Sequence, residues 1–238
     1  MERFSEKVVI VSGAAGALGR VVVRAYLRKG ATVCALDHRE GRLGQIDVGA
    51  DHKGRLEVFE NIDLSQADAI PSWISSVHER VGLVDVIVQT VGSFSYGEKV
   101  YELSAATWQK MLDINVNAFL NLTAAFVPDL VAKGRGKVVA IGAKAALKGG
   151  AKMGAYSASK AALLSLTESM AAELASEGIQ VNCVLPGTID TPNNRAEMPK
   201  ADFSKWVSPE QIADTILFLT SPASDAITGA AIPVYGQP

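Results

Sequence analysis

A single doubly wound parallel sheet with helices on both faces, an α/β fold, is predicted by three observations. Short apolar runs alternate with longer helical patterns along the whole chain. Those runs are continuous, as expected of strands buried on both faces of a parallel sheet. The first run opens into a glycine-rich turn, and a helical pattern follows at once. No repeat, low-complexity tract or linker breaks the alternation, so one domain over residues 1–238 is expected.

The first strand is Val8–Val11. It ends in Ser12-Gly13-Ala14-Ala15-Gly16-Ala17-Leu18-Gly19, and a helix is expected from Leu18 to Lys29, stopped by Gly30. Strand, glycine turn and helix in that order aim helix N-terminal amides at a pyrophosphate. The second strand, Thr32–Leu36, ends in Asp37. In a dinucleotide fold an acid there accepts hydrogen bonds from the adenosine ribose hydroxyls and repels a 2′-phosphate. NAD(H) is therefore favoured. His38 and Arg39 follow, and a basic neighbour keeps NADP(H) open. The plainer alternative for Asp37 is a turn opener.

Gly41–Gly54 reads as a polar connection with at most a weak helix. The third strand, Arg55–Phe59, leads through Asn61-Ile62-Asp63-Leu64 to a helix from Gln66 to Arg80 and a strand from Val84 to Thr90. Gly92–Gly97 is a small-residue loop after that strand, where ligands of open parallel sheets gather. A long amphipathic helix, Ala105–Lys133, contains Asn115. Strand Lys137–Ile141 and loop Gly142–Met153 lead to a helix from Tyr156 to Leu174. Strand Ile179–Leu185 closes with Pro186-Gly187. Residues 188–207 are too long for a bare connector and are expected to form a lid over substrate. Ser208 and Pro209 read as an N-cap and first helical position of a helix running to Thr220. Gly229–Tyr235 is the last strand.

Composition bounds the rest. The chain is 48% hydrophobic and 20% charged, with a formal net charge of −2. That gives no basic footprint for nucleic acid or an anionic membrane. No uninterrupted apolar run approaches the ~20 residues of a membrane span. The polar stretch Met1–Lys7 runs straight into the first strand, so no signal peptide and a cytoplasmic location are expected. Cys34 and Cys183 lie in apolar runs and read as buried thiols. No His, Cys and carboxylate cluster has ligand spacing, so no metal is expected.

The stretch that carries chemistry is Gly154-Ala155-Tyr156-Ser157-Ala158-Ser159-Lys160. Tyr156 and Lys160 stand at i and i+4 and share a helix face. An ammonium beside a phenol favours the phenolate, which is expected to lower the tyrosine pKa. The phenol would then give and take a proton near neutral pH. The bland alternative is a Tyr/Lys pair on a solvated face.

With these motifs in this order, the chain resembles the short-chain dehydrogenase/reductase family over essentially its whole length. Gly13, Ala15, Gly16, Leu18 and Gly19 fall in the stretch that matches the family's cofactor turn, and Asp63 and Leu64 match its adenine contact. Asn115 matches the helix asparagine, and Tyr156 and Lys160 the catalytic pair. Pro186, Gly187, Thr188, Ile189 and Thr191 match the nicotinamide loop, and Gly92 closes the fourth-strand motif. The resemblance implies a Rossmann fold and an NAD(P)-dependent oxidoreductase acting on a small C=O or C=N substrate. Tyr156 would supply the proton and Lys160 would bond the nicotinamide ribose. Asn115 would hold a relay water, or simply bond backbone within its helix. A homodimer or homotetramer is implied, paired through the two long helices.

Departures from the family pattern are informative. The middle glycine of the turn is at 16, where short members place it at the position of Ala17. Gln89-Thr90-Val91-Gly92 replaces Asn-Asn-Ala-Gly. The serine expected before the tyrosine is Ala143, which donates no hydrogen bond. Gly142–Leu147, Thr191–Arg195 and Met198–Trp206 resemble dihydropteridine reductases, which also lack that serine and reduce a quinonoid dihydropterin with NADH. The tryptophan of that branch after the fourth strand is absent here, with Gly92-Ser93-Phe94 in its place. A carbonyl reductase or alcohol dehydrogenase of the general family is the alternative, and a non-catalytic NAD(H)-binding sensor is the alternative from another class. Ala143, Phe94, Met153, Met198 and Trp206 are the candidate substrate residues.

Overall fold

The computed structural model describes residues 4–50, 52–66 and 70–237. Its strands are β1 Val8–Ser12, β2 Thr32–Leu36, β3 Arg55–Phe59, β4 Val86–Gln89, β5 Gly136–Ile141, β6 Ile179–Pro186 and β7 Ala231–Val234. They form one parallel seven-stranded sheet in the order β3-β2-β1-β4-β5-β6-β7. The order reverses between β1 and β4, which opens a crevice at the carboxyl ends of those strands. Register carries the glycine turn to that crevice: Ser12 lies opposite both Leu36 and Gln89. Gly13, Asp37 and Thr90 therefore leave the sheet at one level.

Successive strand residues point to opposite faces, which divides the apolar runs between two cores. Val9, Val11, Val33 and Val88 pack against Val22, Tyr26, Ile212 and Ile216. These helical residues belong to α1 Ala17–Arg28 and, at the chain's other end, a helix over Pro209–Leu219. Ile10, Cys34, Ile87 and Val138 face the other way and pack against Val77, Phe119, Phe126 and Leu163. Those come from α2 Ile70–Val81, from a helix over Ala118–Lys133 and from one over Gly154–Leu174. The two-sided covering explains why the strands carry continuous apolar runs.

The remaining helices, in chain order, are α3 Ala105–Leu112, α4 Ala118–Lys133, α5 Gly154–Leu174, α6 Pro192–Glu197 and α7 Pro209–Leu219. Several expected boundaries shift. The helix expected from Gln66 begins at Ile70, with residues 67–69 outside those described. The strand expected over Val84–Thr90 pairs only from Val86 to Gln89, and α5 starts a little earlier than expected, at Gly154. Of the N-terminal stretch Met1–Lys7, residues 1–3 also lie outside those described, as does Asp51 in the connection after β2. That connection holds one short 3-10 turn, Leu43–Gln45.

Two corrections bear on the site. The long helix Ala105–Lys133 is not uniformly α, because Asp113–Asn117 forms a π turn between α3 and α4. By length and composition this helix is apolar enough to cross a membrane, against the expectation from uninterrupted runs. Its window is 56% buried inside the protein, and it packs on β4 and β5 as a core helix. The second correction is the 188–207 segment. It holds α6 and a 3-10 turn at Phe203–Lys205, and a parallel bridge from Ile189 to Val207 ties its ends together.

Candidate active site

The glycine turn is built by close approach. Gly13 has φ +65, and a Cβ there would lie 3.0 Å from Thr90 Oγ1 and 3.1 Å from the Val91 nitrogen. A Cβ on Gly19 would lie 2.2 Å from the Gly13 carbonyl oxygen, so the first turn of α1 can sit directly on the turn only without one. Gly16 caps α1 with no side chain, and no acid occupies the first turn. No acid of its own first turn competes for the N-terminal amides of α1, a condition that suits a pyrophosphate. A cavity of about 370 Å³ lies alongside, lined in part by Gly13, Gly16, Asp37, Asp63, Leu64 and Gly92. The residues thus fit the nucleotide half of a dinucleotide.

Asp37 is 3% exposed at the rim of that cavity. Its Oδ2 accepts from the Ala15 amide at 3.0 Å, so the end of β2 buttresses the glycine turn. Its Oδ1 accepts from the Arg39 backbone at 3.1 Å and from Arg39 Nε at 2.9 Å. Burial alone would raise this carboxyl, but the bonds from Arg39 and Ala15 outweigh it and hold the group below its usual range. The cavity rim therefore carries an ionised carboxylate gripped by a half-exposed guanidinium. Across the cavity, Asp63 Oδ1 accepts from the Ser65 amide and hydroxyl at 2.9 and 2.7 Å, which shapes the loop after β3.

At the other end of the crevice α5 meets the π turn. Lys160 is 4% exposed, and its Nζ donates to the Ile141 carbonyl at 2.8 Å. A Cβ on Gly92 would lie 3.1 Å from Lys160 Nζ and 3.3 Å from Asn115 Oδ1, so the three residues converge. The π turn carries Asn115 inward to full burial. Its Oδ1 accepts from the Ser93 amide at 2.8 Å, and its Nδ2 donates to the Ser93 carbonyl and to Ser159 Oγ, both at 3.0 Å. The side chain of Asn115 thus bonds the backbone of another loop and a side chain of α5, not backbone within its own helix. It pins the loop after β4 to α5.

The expected lowering of the Tyr156 pKa is corrected. Burial pushes the phenol up to about 12, and burial pushes Lys160 down to about 8. Desolvation disfavours the charged form of each group, and the ammonium spends its hydrogen bond on Ile141.

On the substrate side, Phe94 meets Tyr156 edge to face, with ring centroids 4.9 Å apart. Ala143 is buried at the end of β5, and Met153 precedes the first turn of α5. Met198 is 40% exposed just after α6, and Trp206 packs on Phe203 at 4.8 Å. Phe203 in turn lies under the Arg195 guanidinium at 4.7 Å, so the aromatics of this segment pack within it. Of the nicotinamide-loop residues, Pro186 ends β6 and Gly187 lies against the Tyr235 carbonyl. Ile189 bridges to Val207, and Thr191 caps α6 by accepting from the Asn194 amide at 3.2 Å. Sequence reasoning missed Ser159, which links Asn115 to α5, and Lys144, whose Nζ sits 4.9 Å over the Tyr235 ring. For Lys144 the only signal was its place next to Ala143.

A nucleotide crevice at a sheet switch point, with a tyrosine and lysine beside it, is the architecture of a dinucleotide-dependent oxidoreductase. Residues 7–202 match the short chain dehydrogenase family, and the chain belongs to that family of oxidoreductases. It is 28% identical to 2-(S)-hydroxypropyl-CoM dehydrogenase 3 of Xanthobacter autotrophicus, over 98% of this chain and 97% of that one. It is 28% identical to the 3-oxoacyl-(acyl-carrier-protein) reductase FabG of Thermotoga maritima, over 98% of each. Carveol dehydrogenase from Mycobacterium avium, solved in complex with NAD, superposes with a TM-score of 0.90 at 26% identity, covering 100% of this chain and 99% of that one.

Proposed function

We propose that this chain interconverts a small carbonyl or imine compound and its reduced form, using NAD(H) in preference to NADP(H). The observation that carries the reading is the convergence of Lys160, Asn115 and Gly92 beside the nucleotide cavity, with Tyr156 one helical turn before Lys160. The glycine turn and the first turn of α1 would hold the pyrophosphate. Asp37 would take the adenosine ribose, and Asp63 and Leu64 would border the adenine. Pro186, Gly187, Ile189 and Thr191 would border the nicotinamide. When bound, the cofactor supplies or accepts the hydride.

The protein's own part is the proton. In the reducing direction the substrate carbon gains the hydride and its oxygen or nitrogen takes the proton from Tyr156 Oη. With its pKa near 12 in the free protein, the phenol arrives protonated at neutral pH. Lys160, near 8, is still mostly protonated at neutral pH and would return a proton to the tyrosine. Asn115 fixes the loop that positions Gly92 and Phe94, and its main chain in the π turn is where a relay water would sit. Tyr156→Phe is expected to lower turnover at least about 100-fold while leaving NADH affinity nearly unchanged. Loss of NADH binding in that variant, or retention of turnover, would defeat the assignment.

Two substrate readings remain in play. Ala143, which offers no donor to a carbonyl oxygen, favours a ring imine such as quinonoid dihydropterin. The relatives above carry names of hydroxyl and carbonyl chemistry, which favours the general reading. NADH oxidation with freshly generated quinonoid dihydropterin beside simple ketones separates them. A sensor without catalysis would bind NADH and leave it unoxidised with every acceptor offered. The reading also takes the chain as one catalytic domain with a lid at 188–207, cytoplasmic and homo-oligomeric. Exposed Trp108, Leu120 and Val131 on the α3–α4 helix, and exposed Ala158, Ala161, Ser165 and Ala172 on α5, support pairing of these helices.

A further inference from the structure

The loop that leaves β5 carries charge that the proposed chemistry does not use. Between Gly142 and Met153 the ionisable residues are Lys144, Lys148 and Lys152, all exposed, and no acid stands in the chain between Asp129 and Glu168. Among the described residues no carboxylate pairs with any of them. Acids of the neighbouring loops have other partners, although Glu98 Oε2 is buried without one. Glu98 accepts from Ser104 and Thr107, Glu102 pairs with Lys99, and Asp190 pairs with Arg195.

The loop is held beside the site. The Lys152 carbonyl accepts from the Gly97 amide at 3.0 Å, joining it to the loop that lays Phe94 on Tyr156. At its start, Lys144 follows Ala143, and its ammonium is held 4.9 Å over the Tyr235 ring. Tyr235 is itself anchored at the nicotinamide loop, where a Cβ on Gly187 would lie 2.7 Å from its carbonyl oxygen. A cation held by a ring, with no carboxylate on it, keeps its hydrogen-bonding capacity for an anion. The apolar ring of Phe94, which meets Tyr156, is 54% exposed.

We propose that Lys144 is a specificity-determining residue, and that the substrate is an anion whose carboxylate, sulfonate or phosphate meets this ammonium while a small apolar body packs on Phe94. The proposal rests on the reading of Tyr156 as the reacting end of the same site, and names the substrate class for it. Lys148 and Lys152 add a field that favours the anion's approach.

The test separates binding from chemistry. Calorimetry would compare cyclohexanecarboxylate with its methyl ester, neither of which carries a reducible ketone, on the protein with and without NADH. The acid is expected to bind roughly tenfold more tightly than the ester. That advantage should vanish in Lys144→Gln, persist in Lys144→Arg and shrink at high salt. Equal binding of acid and ester, no binding of either, or an advantage that survives Lys144→Gln would overturn the proposal. In parallel, NADH oxidation would be followed with cyclohexanone and 4-oxocyclohexanecarboxylate. Lys144→Gln should raise KM for the charged ketone alone, with kcat held. Lys144-dependent binding without turnover of either ketone would count against the Tyr156 chemistry and not against the anion site. Turnover of both ketones with equal KM would count against the anion site and not against the chemistry.

Discussion

Lys160 is the residue whose environment makes the sharpest demand. Its ammonium is buried with one carbonyl acceptor, and its pKa falls to about 8. The folded value lies below the unfolded one, so between pH 8 and 10.5 the unfolded chain binds more protons. Stability contributed by this group therefore rises with pH through that window. Lys160→Met removes the dependence. The stability gained on that substitution, measured by urea unfolding, should be greater at pH 7 than at pH 10.5 by about 3 kcal/mol. A difference that does not change with pH would mean that Lys160 is solvated. Asp37 makes a second prediction. Asp37→Ala removes an anion and releases Arg39 at the cavity rim, so the preference for NADH over NADPH should relax. An unchanged ratio of kcat/KM for the two cofactors would remove Asp37 from that role. Both residues were legible as motif positions in the chain. Their partners were not, because Ile141 and Ala15 reach them only through the sheet register.

At the scale of elements, the helix starts were read well where local chemistry sets them. Ser208 accepts from the Gln211 amide at 3.2 Å while Gln211 Oε1 accepts from the Ser208 amide at 3.0 Å, a complete capping box on α7. Ser208→Ala should cost about 1 kcal/mol in urea unfolding and leave kcat unchanged, since the cap satisfies only α7's own amides. A much larger loss would show that the cap also holds the lid, whose end at Val207 adjoins it. The π turn was not legible. An amphipathic pattern runs through Asp113–Asn117 as it would through α-helix. The wider turn is sustained by the bonds from Asn115 to Ser93 and Ser159, which come from β4's loop and from α5. By contrast α6, which forms inside a segment read as loop, starts on a local signal, Thr191 as cap with Pro192 at its first position.

For the whole molecule, the exposed apolar residues of α3–α4 and the small residues of α5 predict a homo-oligomer. Light scattering at micromolar concentration should give a dimer or tetramer mass, and a monomer would refute helix pairing. The doubly wound topology was legible because most strands are continuous apolar runs, as in β1, β2 and β4, and helices such as α1 and α2 have one apolar face, a periodicity that survives any tertiary detail. The nucleotide turn was legible for a similar reason. Gly13 and Gly19 answer steric demands made within one strand–turn–helix unit, although the atom that crowds Gly13 belongs to Thr90. What the chain alone determined is thus the order of elements, the glycine turn, the helical spacing of Tyr156 and Lys160, and the family these define. Only the tertiary structure decided the protonation of that pair, the saturation of Asn115, the grip of Arg39 on Asp37 and the place of Lys144 over Tyr235. Apart from the contact of Arg39, which stands two residues from Asp37, each of those depends on burial and on partners far away in sequence, and neither is written in local spacing.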